Sequence, residues 1–277
     1  MRVALCQMNS SDDPAENCET LEAMLGAAAE GGADWALTPE VTNCLSASGT
    51  RQRDVLVGEA EDKVLAKARE VAAARAMPVL LGSIALAPES PEDGRFHNRS
   101  FLIDGAGAIL ARYDKIHMFD VEISETETYR ESAKYKPGNK AVLADVAGTK
   151  VGLTICYDLR FPSLFRRLAA ARAEILTVPS AFSPVTGRAH WETLLRARAI
   201  ETGCFVLAPA QTGRHAARRG RARETHGHSL AVDPWGQVLI DGGTEPGVKF
   251  VDLDLDRVAA VRKQVPSLYH SRDFDGP

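Results

Sequence analysis

Cys156 stands where an apolar run, Val151-Gly152-Leu153-Thr154-Ile155, meets the polar turn Tyr157-Asp158-Leu159-Arg160. Pro162 then opens a helical pattern that continues to Arg172. A thiol delivered by a strand to the N-terminal side of a helix has its thiolate favoured by the helix dipole. The competing reading is a core thiol, because free Cys is among the most buried residue types. A nucleophilic thiol needs a base, a stabiliser for the oxyanion and a group that holds the substrate. The seven histidines (97, 117, 190, 215, 226, 228 and 270) include none in a papain-like or caspase-like context. A spatial Cys–His pair nevertheless stays open, since such partners need not be near in sequence. Glu40 ends the apolar run Trp35-Ala36-Leu37-Thr38 after Pro39. Burial there would raise its pKa toward neutrality and make it a general base; the alternative is a capping carboxylate. Lys115 also follows a strand-like run, where a lysine is more often solvated. Glu, Lys and Cys at three strand ends form a more specific pattern, because α/β sites gather at the carboxyl ends of strands.

Arg160, four positions after Cys156, can clamp a substrate carboxylate in a bidentate pair. It can equally rigidify the turn through a salt bridge to Asp158 or another acid. Arg214, Arg218, Arg219, Arg221 and Arg223 crowd residues 213–224. Such a run reads as a solvated loop, or as a mobile flap that attracts an anionic substrate. His226 and His228 lack the further ligands that a metal site needs, so no metal is expected.

The elements that must position these groups alternate between strand and helix patterns. Residues 2–8 read as a strand. Asp13 caps a helix with Pro14 at its first position and Glu16 in the capping-box place, and Gly31-Gly32 ends it. A short strand at 35–38, an Ala-rich helix at 59–76 and strands at 78–86, 98–103 and 108–113 follow. Beyond a loop come strands at 141–146 and 150–155, the helix from Pro162 and a strand at 174–179. A helix at 187–202, a strand at 204–210, a hairpin of 228–232 with 237–240, a strand at 249–253 and a helix at 255–264 complete the pattern. No Pro/Gly/Ser-rich linker interrupts it, so residues 1–277 read as one α/β domain with helices covering sheet faces.

The 277 residues carry a net charge of −4, without the basic footprint of a nucleic-acid binder. No apolar run reaches membrane-spanning length, and the first residues are apolar too briefly for a signal peptide. The five cysteines (6, 18, 44, 156 and 204) contain no Cys-x-x-Cys pair. That argues against a zinc site or a disulfide framework and points to a reducing, cytoplasmic setting. Asn98-Arg99-Ser100 matches a glycosylation sequon, which has no consequence in that setting.

Leu37-Thr38-Pro39-Glu40, Tyr113-Asp114-Lys115-Ile116-His117-Met118-Phe119-Asp120, Gly152-Leu153-Thr154-Ile155-Cys156-Tyr157-Asp158-Leu159-Arg160-Phe161-Pro162, Ala189-His190-Trp191-Glu192 and Gly227-His228-Ser229 occur in this order. In that order they resemble the nitrilase, or carbon–nitrogen hydrolase, superfamily, and within it the Nit branch of deaminated-glutathione amidases and ω-amidases. The resemblance runs from Ala4 to Arg272. It implies an α-β-β-α sandwich that dimerises, with residues 264–277 as an extended tail at the dimer interface. It also implies a Glu40–Lys115–Cys156 triad and a second glutamate at Glu131. Phe182, Thr186 and His190 match positions that line or flank the pocket in relatives, although His190 can equally be helix-start packing. No cofactor is implied.

These residue types suit attack of the Cys156 thiolate on an amide carbonyl. Lys115 and the Tyr157 backbone N–H would face the oxyanion, and Glu40 would pass the proton to the departing amine. Glu131 would hold Lys115 or the substrate amide. The expected products are a carboxylic acid and ammonia from a small carboxylate-bearing amide, either deaminated glutathione or an α-keto acid ω-amide. Residues 210–215 and the run to Gly236 look closer to the deaminated-glutathione type, whereas residues 123–130 depart from relatives and leave the substrate open. The alternatives are a nitrilase or N-carbamoyl amidase using the same residues, and a catalytically silent metabolite- or partner-binding scaffold.

Overall fold

The computed structural model describes residues 1–90, 92–124, 127–270 and 272–276. Strand β1 (Arg2–Gln7) leads into helix α1 (Pro14–Glu30), β2 (Trp35–Leu37), α2 (Gly49–Val55) and α3 (Lys63–Arg75). Strands β3 (Val79–Leu86), β4 (His97–Ile103) and β5 (Ile109–Asp114) follow, then the hairpin strands β6 (Asp120–Ser124) and β7 (Glu127–Arg130). The second half runs β8 (Val142–Val146), β9 (Thr149–Leu153), α4 (Pro162–Ala170), β10 (Ile175–Thr177), α5 (Pro184–Thr202) and β11 (Phe205–Ala208). It continues with β12 (Thr212–Arg214), β13 (Glu224–His226), β14 (Leu230–Val232), β15 (Val238–Asp241), β16 (Gly247–Asp252) and α6 (Asp256–Gln264).

Two six-stranded sheets form, ordered β16-β1-β2-β3-β4-β5 and β15-β14-β11-β10-β9-β8. In the first, β1, β2 and β3 are parallel and the outer pairs antiparallel; in the second, β9, β10 and β11 take the same arrangement. The two halves are built alike: Asp34 accepts from the N–H of Arg2 as Glu174 accepts from that of Lys150, each acid just before a central strand. Period-two alternation divides β1 between two cores. Val3 and Leu5 face the second sheet, while Ala4 and Cys6 face Leu21, Leu25 and Ala28 of α1 and Leu65, Ala68 and Ala72 of α3. On the second sheet's other side, Leu164, Phe165 and Leu168 of α4 pack with Trp191 and Leu195 of α5. This is the expected α-β-β-α layering.

Local chemistry departs from expectation in several places. Asp13 caps α1 by accepting from Ala15 N, but Glu16 turns away and accepts from Ser11 Oγ at 2.7 Å, so no capping box forms. The helix expected over 59–76 is divided at Asp62, whose carboxylate accepts from Leu65 N at 2.8 Å and restarts it as α3. Helix α2, capped by Ser48, and the β6–β7 and β12–β13 hairpins had no clear signal because they are short and bury few apolar side chains. In the segment 123–130 that departs from relatives, Glu125 and Thr126 lie outside the described residues, as do Ser271 and Pro277 of the tail.

Candidate active site

Three strand ends meet where the two sheets face each other. Glu40 follows β2, Lys115 follows β5 and Cys156 follows β9. Gly82 of β3 makes room for this junction: a Cβ there would lie 1.9 Å from Thr38 O and 2.6 Å from Pro179 Cβ. Backbone bonds fix each end, with Lys115 N donating to Asn98 O at 3.0 Å and Cys156 N to Pro179 O at 3.0 Å. Cys156 adopts φ 49°, a left-handed conformation that costs a non-glycine residue on the order of 1 kcal/mol. Asp158, wholly buried, holds that turn. Its carboxylate accepts from Ile155 N (2.9 Å), Tyr113 Oη (2.6 Å) and His117 N (3.0 Å), and it meets His117 Nδ1 at 2.6 Å.

Glu40 and Lys115 are buried, and Glu131 is nearly so. Lys115 Nζ donates to Glu40 Oε1 and to both oxygens of Glu131, all at 2.9 Å. Glu131 also accepts from Phe119 N at 2.6 Å. Glu40 Oε1 accepts a further bond from Asn98 Nδ2 at 2.9 Å, and Oε2 accepts from Ala181 N at 2.9 Å. The Cys156 thiol sits beside Glu40, close enough for the carboxylate's charge to act on it. Among the described residues no histidine lines the cavity with Cys156, and His117 is committed to Asp158 and stacks on Phe161 at 3.6 Å.

The electrostatics reverse two expectations. Burial pushes the Glu40 pKa up, but the Lys115 charge and hydrogen bonds outweigh it and hold the carboxyl below its ordinary range. Burial and the neighbouring Glu40 charge raise the Cys156 pKa well above the ordinary thiol value, and Lys115 only partly opposes them. The dipole argument overlooked that Cys156–Arg160 is a short 3-10 turn without the aligned peptides of a long helix. At rest the site therefore holds a neutral thiol beside a carboxylate. Lys115 is penalised by burial, but Glu131 and Glu40 overcome this and keep it protonated, with its pKa well above ordinary.

A cavity of about 980 Å³ opens over these groups. Phe182 and Thr186 line it, as does Tyr157. Arg160 and His190 do not: Arg160 Nη2 lies 3.2 Å from His190 Nδ1, and its guanidinium sits over the Tyr157 and Phe182 rings. The expected salt bridge from Arg160 to Asp158 does not form, because Asp158 is occupied, and the guanidinium lies over the rings of two lining residues without itself lining the cavity. The Arg-rich loop supplies cations instead, through Arg214, Arg221 and Arg223. It is not a free flap: Asp12 accepts from the N–H of Arg218 at 2.9 Å, and Arg219 Nη1 donates to Asp54 at 2.8 Å. His226 and His228 stack on each other at 4.6 Å, and His228 Nδ1 lies 2.9 Å from Asp241.

Sequence reasoning missed Asn98, Asp158 and the Ala181 N–H. Asn98 had been noticed only within its sequon; it is 2% exposed and serves Glu40. Nothing local set it apart, since His97, Arg99 and Ser100 beside it in β4 are polar too.

A buried thiol beside a carboxylate, with an ammonium held between that carboxylate and a second one, defines a cysteine hydrolase site without histidine on a doubled α/β sandwich. The carbon-nitrogen hydrolase family profile matches residues 2–263, and the chain belongs to that family, in the Nit branch of the nitrilase superfamily. The deaminated glutathione amidase of Synechocystis sp. strain PCC 6803 is 39% identical over 270 residues, covering 96% of each protein. The C. elegans NitFhit structure superposes with a TM-score of 0.88 at 36% identity, covering 98% of this chain and 65% of that one. An amidase from Nesterenkonia sp. AN1, solved with the product of Michael addition of acrylamide at its active-site cysteine, gives a TM-score of 0.77 at 28% identity, covering 97% of this chain and 99% of that one. The chain is a thiol-dependent amidase.

Proposed function

We propose that Cys156 is the nucleophile, Glu40 the general base and acid, Lys115 the oxyanion's cation and Glu131 the group that positions Lys115. The observation that carries this reading is that one carboxylate, Glu40, lies beside both the thiol and the ammonium. As Cys156 Sγ bonds to the carbonyl carbon, its proton passes to Glu40, and the charge that leaves sulfur appears on the carbonyl oxygen. Lys115 and the Tyr157 backbone N–H stabilise that oxygen. Collapse breaks the C–N bond, Glu40 returns the proton to the departing nitrogen, and a thioester remains. Glu40 then takes a proton from water as its oxygen attacks the thioester; breaking the C–S bond releases the acid, and the thiol is reprotonated from Glu40. No step requires Cys156 to be a thiolate at rest.

The proposed substrate is deaminated glutathione, the compound in the relatives' names. A cavity of about 980 Å³ lies at the upper end of the range for sites that enclose an extended ligand and exceeds what a small keto-acid ω-amide needs. Deaminated glutathione contains only secondary amides, so its leaving group is an amine; ammonia is the product for the ω-amide alternative. The test offers both compounds and quantifies amine and ammonia. Cys156→Ala should reduce turnover to background while leaving the fold intact. Turnover surviving that change would overturn the nucleophile assignment, and ammonia from the ω-amide without amine from the peptide would overturn the substrate.

The same reading places residues 1–277 in one catalytic domain that works as a cytoplasmic homodimer. Five free thiols fit a reducing compartment. Ile200 on α5 and Trp235 beside it are 55% and 54% exposed, and Tyr269 and Phe274 of the tail are still more exposed, as residues awaiting a partner's surface would be. Light scattering on the full chain reads the mass; a monomer at micromolar concentration would remove this part of the reading.

A further inference from the structure

Helix α2 and the Arg-rich loop build a part of the cavity lining to which the catalytic steps assign no task. Gln52 of α2 is 3% exposed, and its Nε2 donates to Tyr135 Oη at 2.6 Å. Its Oε1 is enclosed yet has no partner among the described residues, although the residue lines the cavity. A buried acceptor left unpaired is costly and uncommon in a folded protein. The loop lies directly on this helix. Arg219 is bound to Asp54, and a Cβ on Gly220 would come within 3.0 Å of Ser48 Cβ. Within the loop the arginines divide by task. Arg218 pairs with Asp13 and Glu16 and Arg219 with Asp54, whereas Arg214, Arg221 and Arg223 line the cavity and form no ion pair among the described residues; Arg214 stands opposite Glu224 in the β12–β13 register, which leaves Arg221 and Arg223 without a facing acid. Glu40 and Glu131 are tied to Lys115, and Glu224, which also lines the cavity, forms no ion pair with them among the described residues.

We infer that Gln52, Arg221 and Arg223 form a recognition subsite for the end of a peptide-type amide remote from the scissile bond. Gln52 Oε1 accepts from a substrate amide N–H, and the two guanidiniums take a terminal carboxylate. The inference rests on the amidase reading and adds to it the residues that select a carboxylate-terminated peptide. It assigns carboxylate selectivity to residues of the cavity lining, to which Arg160 does not belong. Anchoring of the loop at Arg218 and Arg219 pre-organises the guanidiniums of Arg221 and Arg223, which lowers the ordering cost of binding.

The test is calorimetric binding to full-length Cys156→Ala protein, so that turnover does not interfere. Three ligands are compared: deaminated glutathione, its terminal methyl ester, and the analogue N-methylated at the amide nearest that terminus. The ester should bind about tenfold more weakly than the free acid, and Arg221→Gln with Arg223→Gln should bring the two to equal affinity. Gln52→Leu should weaken the free acid about fivefold and leave the N-methylated analogue unchanged. Equal binding of acid and ester to the parent, a ratio that survives the double arginine change, or no binding of any ligand would overturn the subsite. If Gln52→Leu does not fold, the arginine pair, on an exposed loop, decides alone. Hydrolysis of the same acid by the unmutated enzyme is read in parallel. Discrimination in binding without hydrolysis leaves the subsite standing and removes the amidase reading of this substrate; hydrolysis without discrimination does the reverse.

Discussion

Replacing Glu131 by Gln isolates the group that has no contact with the thiol. Its carboxylate receives Lys115 Nζ on both oxygens at 2.9 Å and Phe119 N at 2.6 Å. Gln retains the shape and one acceptor oxygen, but its amide N–H₂ must face either the ammonium or the Phe119 N–H. Breaking a buried ion pair typically costs about 3–5 kcal/mol. Lys115 keeps Glu40, and the Glu131 side chain is 15% exposed, so the lower figure applies. A loss of about 3 kcal/mol corresponds to a fall in Tm of about 6–12 °C for a chain of this size. The larger effect is on catalysis. With Glu131 neutral, Lys115 is drawn to Glu40 and its N–H groups turn from the oxyanion. Losing one such donor costs about 3–4 kcal/mol, so kcat should fall about 10²–10³-fold with KM little changed. Steady-state amine release and thermal denaturation read these two effects. Alkylation of Cys156 by iodoacetamide supplies the control, because it reads access to the thiol through the cavity and should stay within a few-fold of wild type. A kcat within a few-fold of wild type at unchanged Tm refutes the reasoning; labelling that falls in step with kcat shows general collapse of the site rather than misplacement of Lys115.

Glu40→Gln should abolish amide turnover yet leave Cys156 open to alkylation, because it removes the base and also the charge that raises the thiol's pKa while Lys115 stays beside it; turnover retained in that variant would overturn the base assignment. In the wild type, mass spectrometry should find Cys156 labelled ahead of Cys6, because Cys156 lines the cavity beside a base whereas Cys6 is buried away from it, and equal rates at the two would contradict this. Asp158→Asn should cost about 3 kcal/mol in urea denaturation and lower activity, because a buried acceptor of three donors gains an amide that must face one of them; full stability would show that the turn does not depend on it. Glu40 has a folded pKa below its ordinary 4.5, so its contribution is present above that value and is lost as pH falls through the folded value. The acid side of the stability curve should therefore flatten in Glu40→Gln, and an unchanged curve would place the acid sensitivity elsewhere.

Much of this was legible from residue order. An apolar run that ends in a polar turn marks a strand delivering a side chain to a sheet edge, and Glu40, Lys115 and Cys156 all stand at such ends. Asp13 with Pro14 marked the start of α1 because capping is local chemistry. Asn98 and Asp158 were not recognised because their partners lie 58 and 45 residues away, at Glu40 and Tyr113. Arg160 misled for the same reason: its proximity to Cys156 in sequence says nothing of which side of the turn it takes, and the rings of Tyr157 and Phe182 decide that.

Sequence alone determined the alternation of elements, because periodicity and capping are local properties of the chain, and the resemblance of its motifs to a known family singled out Glu40, Lys115 and Cys156 as the proposed triad. Tertiary structure alone decided the protonation pattern. Desolvation and the approach of Glu131 and Glu40 to one ammonium depend on both sheets closing over the site, and they leave Cys156 a neutral thiol, Glu40 an anion and Lys115 a cation. Tertiary packing likewise placed Arg160 outside the cavity lining while bringing Arg221 and Arg223 to it beside Gln52. A guanidinium's task is set by which acids and rings reach it first, and that is a property of the folded surface.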